Sequence, residues 1–357
     1  MKHSAKTLII LSPGFPKDEA DTTCLTSQQI FVRTLNKNFP ALKTIILSFQ
    51  YPFSITAYNW HGNIVIPFNG MKKGIIARML LWRRLWHTLN TLKKDNDVIG
   101  LLSFWCGECA FIGKWFGRTN NLKHFAWITG QDARKGNKYI SFIRPQPHEL
   151  IAMSDFLYEE FYKNYAVKPL HIIPNGIDTS LFSQQNSERD ITVLGAGSLI
   201  PLKQYDVFIS VLKKIVERIP ATTAILCGKG PQEMQLQNLI SQQQLQNNIF
   251  LTGELSHQKI LELMQRTKIF LHTSNYEGFS TVCLEALYAG CHVISFIKPM
   301  QHNIDHWHIV HTNEEMEKKA IELLAPGTVY TTVLPYTMDD SAKAIMQLFD
   351  YKETATS

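Results

Sequence analysis

The residues of this chain best suited to chemistry are two glutamates eight positions apart. The stretch Tyr276–Gly290 reads YEGFSTVCLEALYAG, with Glu277 at a turn and Glu285 inside a predicted short helix. Ser280 or Thr281 can cap that helix, and the N–H groups of its first turn form a site for a phosphate. Glu285 could accept hydrogen bonds from a vicinal diol such as a ribose, and Glu277 would face whatever lies beyond the phosphate. This division of roles suits a sugar nucleotide.

Two glycine-containing turns in the same half of the chain support this interpretation. Residues 194–204 read LGAGSLIPLKQ, a strand and a small-residue turn in which Lys203 follows Gly197 by six positions. A lysine there could balance a diphosphate as a point charge, although a solvated lysine after a proline turn is the alternative. In CGKG, residues 227–230, Gly228 would keep a strand end clear for a ligand.

The elements that must position these residues form two successive sets. Short apolar runs that alternate with longer helical patterns predict parallel sheets flanked by helices, arranged as two consecutive open α/β domains. We predict an N-terminal domain over residues 1–182, a polar linker around 183–190 and a C-terminal domain over 190–337. The predicted strands cover residues 7–11, 43–48, 97–102, 124–129, 150–154, 170–173, 191–195, 223–227, 249–251, 269–272 and 292–296.

Composition excludes several classes of protein. With 357 residues, 45% hydrophobic and 18% charged, the chain has the composition of a globular protein of two domains. The six cysteines show no disulfide spacing, and the N-terminal apolar run is too short for a signal peptide. No run approaches eighteen apolar residues, so we expect a cytoplasmic protein without a membrane span.

Charge is distributed unevenly between the two halves. Residues 1–180 carry 22 Lys/Arg and 12 Asp/Glu, a balance of +10, whereas residues 181–357 carry 14 and 18, a balance of −4. The first half therefore suits an anionic partner. We expect no nucleic-acid partner, because no nucleic-acid-binding module accompanies the charge.

The segment Met71–Lys94 concentrates this positive charge. It holds seven basic residues, no acid, and apolar residues at helical spacing, namely Ile75, Met79, Trp82, Trp86 and Leu89. Two interpretations stay open: a helix packed on the N-terminal sheet with a solvated basic face, or a helix in contact with an anionic membrane surface.

Taken in order along the chain, these motifs resemble those of the retaining glycosyltransferases of family 4. The resemblance is carried by the E-x7-E arrangement of Glu277 and Glu285, together with IPNGID at 173–178, GAGSLIPLK at 195–203, GKG at 228–230 and LTGEL at 251–255. It implies the GT-B fold, in which two Rossmann-like domains face each other across a cleft. It also implies that the donor binds to the C-terminal domain, the acceptor to the N-terminal one, and that a final helix, 338–352, returns to the first domain.

The resemblance also implies site residues. Glu277 would contact the donor sugar, Glu285 would hold the ribose, and Lys203 would support the diphosphate, with Glu277 and Lys203 as the catalytic residues. The further donor-binding residues would be Gly197, Ser198, Gly228, Leu255, Gly278, Phe279, Ser280 and Thr281, and the acceptor side would include Gly14, Gly130 and Asp132. Two departures stand out: Ser198 occupies a position where many members carry arginine, and Thr129 one where they carry histidine.

The implied activity is the transfer of a hexose-type sugar, with retention, from a nucleotide-diphosphate sugar to a glycolipid or polysaccharide in cell-surface glycan synthesis. A UDP-sugar is the favoured donor, and the membrane's inner face is the expected place of work. No metal ion and no other cofactor is implied, and Asp95 and Asp97 are interpreted as a polar turn before a strand. Two alternatives stay open: a GT-B-type sugar-nucleotide epimerase, and a catalytically silent sugar-nucleotide-binding protein.

Overall fold

The computed structural model describes residues 5–183 and 188–352 and divides the chain into two compact units. One unit contains the chain up to Gly176 together with the chain from Met338 onward, and the other is Ile177–Thr337. We predicted a boundary at residue 182, but Ile177 already pairs with Thr337 in a parallel bridge and so belongs to the second unit. Residues 184–187 of the predicted linker lie outside the described residues.

The first unit is built on an eight-stranded sheet in the order β3-β4-β2-β1-β5-β6-β7-β8, parallel except for the β3–β4 pair. The strand order reverses direction between β1 and β5, the point where open α/β sheets bind ligands. The strands are β1 (Lys6–Gly14), β2 (Lys43–Tyr51), β3 (Tyr58–Trp60), β4 (Asn63–Pro67), β5 (Asp97–Phe104), β6 (Lys123–Ile128), β7 (Leu150–Ala152) and β8 (His171–Ile172).

Helices cover this sheet because its strands are apolar on both faces. Leu85 and Leu89 of one helix and Phe116 of the next are fully buried against strand residues such as Ile9 and Leu101. The helices are α1 (Thr26–Asn38), α2 (Ile75–Asp95), α3 (Glu108–Asn120), α4 (Gly130–Ala133), α5 (Tyr139–Ile143) and α6 (Asp155–Tyr165). Within the described residues, no helix is both long and apolar enough to cross a bilayer.

The second unit is a six-stranded parallel sheet in the order β11-β10-β9-β12-β13-β14. This is the strand order of the Rossmann fold, and it reverses between β9 and β12. The strands are β9 (Ile191–Ala196), β10 (Ala224–Cys227), β11 (Ile249–Gly253), β12 (Thr267–His272), β13 (His292–Ser295) and β14 (Trp307–Ile309). The helices are α7 (Tyr205–Arg218), α8 (Glu233–Gln242), α9 (His257–Gln265), α10 (Thr281–Tyr288) and α11 (Asn313–Leu323).

The last helix, α12 (Met338–Leu348), belongs to the first unit although it follows the second in sequence. Ser341 Oγ donates a hydrogen bond of 2.7 Å to Pro174 O. Just beyond the helix, Phe349 is buried and meets Phe125 edge-on with ring centroids 5.1 Å apart. The end of the described chain therefore completes the core of the first unit.

The basic segment predicted as an amphipathic helix forms α2, but its buried face differs from the predicted one. Leu81, Leu85 and Leu89 face the core, whereas Ile75 and Met79, expected on the apolar face, are exposed. The reason is that only the middle and end of α2 are covered by the sheet and by α3.

The two tryptophans of α2 pack on α3. The ring of Trp82 lies 5.1 Å from that of Phe111, and the ring of Trp86 lies 5.2 Å from that of Phe116. Both indoles are partly buried, so they are structural residues of the first unit.

A buried carboxylate ties together the ends of β5 and β6. Asp132 Oδ2 accepts hydrogen bonds from Thr129 N at 2.8 Å and from Thr129 Oγ1 at 3.1 Å, and the carboxylate also accepts one from the backbone of Cys106. Burial raises the pKa of Asp132 from its ordinary value of 3.8 to about 6, although the hydrogen bonds oppose the shift.

We predict that Asp132→Asn removes a pH-dependent component of the first unit's stability. A folded-state pKa above the unfolded one means that the folded state holds the proton more tightly, so stability falls as pH rises from about 4 to about 6. A shift of roughly two pKa units corresponds to about 3 kcal/mol, which the wild type should lose over this range and the asparagine variant should not.

Urea denaturation followed by tryptophan fluorescence measures this effect, because every tryptophan except Trp307 lies in the first unit. Parallel stability curves for wild type and variant between about pH 4 and pH 7 would contradict the prediction.

Candidate active site

The strand reversal in the second unit brings Lys203 and Glu277 together. Lys203 follows β9 at the end of a 3-10 turn, and its carbonyl oxygen accepts a 2.7 Å hydrogen bond from Thr273 Oγ1, just past β12. Glu277 lies in the loop between β12 and α10. Lys203 Nζ lies 2.5 Å from Glu277 Oε2, so two residues 74 positions apart form one ion pair.

A histidine adds to this pair. His272, the last residue of β12, is buried, and its Nε2 lies 3.6 Å from Glu277 Oε2 and 3.3 Å from Ser280 Oγ. Burial lowers the pKa of His272, which favours the neutral ring.

The charge of Glu277 is stabilised strongly. Burial alone would raise its pKa, but the hydrogen bond from His272 and the ammonium of Lys203 outweigh burial and lower the pKa from 4.5 to about 2. Glu277 is therefore ionised at neutral pH. It can accept hydrogen bonds or stabilise positive charge, but it does not serve as a proton donor there.

The second glutamate occupies a different environment. Glu285 lies on the second turn of α10 with 5% of its surface exposed, and its Oε1 is 2.7 Å from Nε2 of His257, the first residue of α9. The helix ends at Tyr288, and Gly290, just beyond the cap residue Ala289, adopts a positive φ of 86°. Ser280 occupies the N-cap position, but its side chain makes no capping hydrogen bond.

The predicted glycine turns after β9 and β10 touch each other. Gly197 has φ of 150° and Gly228 has φ of 146°, and a Cβ at Gly228 would lie 1.9 Å from the carbonyl oxygen of Gly197. Because the two backbones approach so closely, position 228 can hold only a residue without a side chain. Ser198 is exposed beside the turn, and Leu255, after β11, is partly exposed.

The remaining predicted donor residues lie around the start of α10, at different depths. Phe279 is buried and its ring packs near those of Tyr336 (5.7 Å) and Trp307 (6.5 Å), so its side chain belongs to the core. A contact between Phe279 and a donor would therefore involve its backbone, and the predicted donor role of this residue stays a prediction. Gly278 is buried, and Thr281 is partly exposed.

The predicted acceptor residues lie in the first unit. Gly14 and Asp132 line a cavity of about 730 Å³ at the carboxyl ends of β1 and β5, together with Trp105 and Arg78. Gly130 begins α4 and does not line this cavity.

Sequence reasoning missed His257 and His272. His272 ends one parallel strand and His257 begins the helix that follows another, so both lie near the sheet edge that carries Glu277. A polar residue where an apolar strand ends was the available signal. Within residues 5–183 and 188–352, no group of three or more His, Cys, Asp or Glu residues is arranged to hold a metal ion.

Comparisons with known proteins agree with this architecture. Residues 177–326 match the family model described as glycosyl transferases group 1. The phosphatidylinositol N-acetylglucosaminyltransferase gpi3 subunit of Schizosaccharomyces pombe is 26% identical over 214 residues, which cover 57% of this chain and 47% of that protein. The 2-deoxystreptamine N-acetyl-D-glucosaminyltransferase of Niallia circulans is 34% identical over 104 residues, or 29% of this chain and 27% of that protein. The chain thus spans about half the length of the first of these relatives and about a quarter of the length of the second.

Solved structures share the fold over nearly the whole chain. HepE of Anabaena, crystallised with UDP and glucose, superposes with a TM-score of 0.65 at 14% identity, covering 96% of this chain and 95% of that one. WaaG, described as a glycosyltransferase involved in lipopolysaccharide biosynthesis, superposes with a TM-score of 0.63 at 15% identity, covering 97% of this chain and 96% of that one. At such identities the similarity establishes the fold alone. The chain therefore has the GT-B fold, and its second unit carries the domain of the glycosyl transferases group 1, as the resemblance to family 4 glycosyltransferases predicted.

Proposed function

We propose that this chain transfers a hexose-type sugar, with retention of configuration, from a nucleotide-diphosphate sugar to a glycolipid or glycan. The observation that carries the proposal is the Lys203–Glu277 ion pair at the strand reversal of the second unit. A UDP-sugar is the donor we favour, and HepE, which shares the fold, was crystallised with UDP and glucose.

The two charges suit the two fragments that separate in the reaction. The bond between the anomeric carbon and a phosphate oxygen breaks, and its electron pair leaves with the nucleoside diphosphate. An acceptor oxygen bonds to the anomeric carbon, and its proton passes to an oxygen of the leaving diphosphate. In our proposal the ammonium of Lys203 stabilises the leaving diphosphate, and the anionic Glu277 holds sugar hydroxyls close to the developing positive charge. Gly197, Ser198, Gly228, Leu255 and the start of α10 would line the donor site, and no step uses a metal ion.

The ion pair implies competition when the donor binds. The ammonium of Lys203 donates a hydrogen bond to the Glu277 carboxylate. A diphosphate carries more negative charge than one carboxylate and would attract that ammonium, while His272 would remain beside Glu277. Donor binding would thus release Glu277 from Lys203 and make its oxygen available to the sugar.

A turnover assay with and without an acceptor also tests two alternative activities. An epimerase would release nucleotide without an acceptor, and a silent binding protein would bind the nucleotide without turnover. Ser198 and Thr129, at positions where many members of the resembled family carry arginine and histidine, motivate the second of these alternatives, the silent binding protein.

The acceptor in our proposal is membrane-bound. The gpi3 relative is named as a subunit of a phosphatidylinositol N-acetylglucosaminyltransferase, and WaaG is described as involved in lipopolysaccharide biosynthesis. The cavity lined by Gly14 and Asp132 in the first unit is the acceptor site we propose. The protein would work at the cytoplasmic face of a membrane.

The first unit has a surface that suits an anionic membrane. The apolar tip of α2, defined as Ile75, Ile76, Met79 and Leu80, is 82%, 78%, 63% and 62% exposed. Four neighbouring large apolar residues at such exposure are unusual on a surface that faces only water.

Positive charge flanks this tip. Lys72 and Lys73 precede it and Arg83 follows it, and all three are exposed. Arg78 does not contribute, because its guanidinium lies 3.3 Å from the Glu108 carboxylate. An apolar patch with a basic rim matches a bilayer surface that contains anionic lipid better than it matches a neutral protein partner.

We expect Glu277→Gln and Lys203→Ala to affect nucleotide binding in opposite directions. Glu277→Gln removes the carboxylate charge and frees the Lys203 ammonium for the diphosphate. The variant should therefore bind the nucleoside diphosphate that the wild type prefers among UDP, GDP and ADP severalfold more tightly than the wild type does. Turnover should nevertheless fall by about a hundredfold or more. Lys203→Ala should weaken binding of the diphosphate much more than that of the monophosphate.

Isothermal titration calorimetry and a turnover assay with and without acceptor measure these effects. The surface pair Lys214–Glu217 in the same unit, 2.9 Å apart, supplies the matched control, and Glu217→Gln should leave nucleotide affinity unchanged. Equal weakening of diphosphate binding by Glu277→Gln and Lys203→Ala would refute the assignment.

A second prediction concerns the membrane. Ile75→Gln combined with Ile76→Gln should reduce binding to vesicles of phosphatidylglycerol and phosphatidylcholine without lowering the melting temperature, because both side chains are exposed. Lys72→Ala with Lys73→Ala should weaken binding by roughly thirtyfold, since each charge near an anionic leaflet contributes about 1 kcal/mol.

Vesicle co-sedimentation is the measurement, and Leu170→Gln is the control because Leu170 is a similarly exposed apolar residue of the same unit, at 64%. Unchanged binding by the isoleucine variant, or equal wild-type binding to purely phosphatidylcholine vesicles, would exclude this surface.

A further inference from the structure

The pairing of His257 with Glu285 has no part in the chemistry assigned to Lys203 and Glu277. His257 Nε2 and Glu285 Oε1 are 2.7 Å apart, and 16% of the histidine side chain and 7% of the glutamate side chain are exposed. The pair joins α9, the helix that follows β11, to α10, the helix that follows β12.

The chemistry of the two side chains fixes the direction of this hydrogen bond. A carboxylate can only accept, so the ring donates through Nε2–H, and this sets the tautomer of His257 in the pair. A buried carboxylate without a donor is costly, and a single strong donor also restricts its rotation. His257 therefore determines which way the carboxylate plane of Glu285 is turned.

The start of α9 does not need the His257 side chain. Ser256 is the N-cap residue, and its Oγ accepts a hydrogen bond from Lys259 N. The imidazole is thus not required as a cap, and its one hydrogen bond to a side chain, among the described residues, goes to Glu285. The position of the His257 side chain therefore supports one role, the orientation of Glu285.

We propose that His257 is a positioning residue that orients Glu285 toward the ribose diol of the donor and so sets the preference for ribonucleotides over deoxyribonucleotides. This rests on the ribose-binding role proposed for Glu285. With Oε1 held by His257, Oε2 makes no hydrogen bond to any described residue and remains an acceptor for a hydroxyl. A vicinal diol offers two donors, which a fixed carboxylate can accept together.

The test uses three variants and two ligands. His257→Ala removes the donor, His257→Gln supplies an amide N–H2 in place of Nε2–H, and Glu285→Gln removes the carboxylate. For each, calorimetry measures the affinity of UDP and of 2′-deoxy-UDP, with GDP or ADP and their 2′-deoxy forms used if the wild type prefers them.

We expect the wild type to favour the ribonucleotide by about tenfold, the effect of one good hydrogen bond to a charged group. His257→Ala and Glu285→Gln should both bring this ratio close to one, and His257→Gln should restore most of it. Gln258→Ala, an exposed neighbour in the same turn, should leave the ratio unchanged.

The possible outcomes separate this inference from the proposed function. The positioning role is refuted if His257→Ala leaves the ratio of ribonucleotide to deoxyribonucleotide affinity unaltered, for example by lowering both affinities equally. If Glu285→Gln brings the same ratio to one in that case, the donor assignment stands. If the wild type binds none of the nucleoside diphosphates, or binds the ribose and deoxyribose forms equally, the failure lies in the proposed donor site itself.

Discussion

The ion pair between Lys203 and Glu277 is the interaction on which the organisation of the second unit most depends. Two opposite charges with 18% and 26% of their side chains exposed have lost part of their hydration, which is tolerable only with close geometry and further hydrogen bonds. The turn after β9 presents one charge, the loop after β12 presents the other, and Thr273 holds the two segments together. Parallel pairing of β9 with β12 places both loops at the same edge of the sheet.

The surrounding residues serve this edge in different ways. The contact between Gly197 and Gly228 lets two turns meet without side chains, and His272 supplies a neutral partner for Glu277. Glu285 lies on α10 and pairs with His257 instead of with Lys203. The two glutamates of the motif are therefore chemically distinct, one coupled to a lysine and the other to a histidine.

Much of this could be predicted from sequence because strong periodicity and motif spacing both act locally. The strand predicted over residues 191–195 forms β9 (Ile191–Ala196), because a short apolar run is the local signal of a buried strand. The GT-B fold was also confirmed, and the second unit matches the family model of the glycosyl transferases group 1. Strands of three residues such as β3 and β14 were missed, because so short a run carries no periodic signal.

What could not be predicted depends on tertiary contacts. Spacing alone did not show that Ile75 and Met79 would be left exposed, since that depends on how far the sheet and α3 extend along α2. The burial of Phe279 against Tyr336 and Trp307 and the pairing of His257 with Glu285 join residues distant in sequence. Lys203 and Glu277 were assigned to one site by resemblance, but their direct contact could only be seen in three dimensions.

The central claim is that a nucleoside diphosphate takes the Lys203 ammonium away from Glu277. A double-mutant cycle tests it most directly: diphosphate affinity is measured by calorimetry for the wild type, Glu277→Gln, Lys203→Ala and the double variant. The account predicts that Glu277→Gln tightens binding only when Lys203 is present, with a coupling of about 1 kcal/mol or more. The same gain in affinity with and without the lysine would contradict it, because Glu277 would then act on the nucleotide without Lys203.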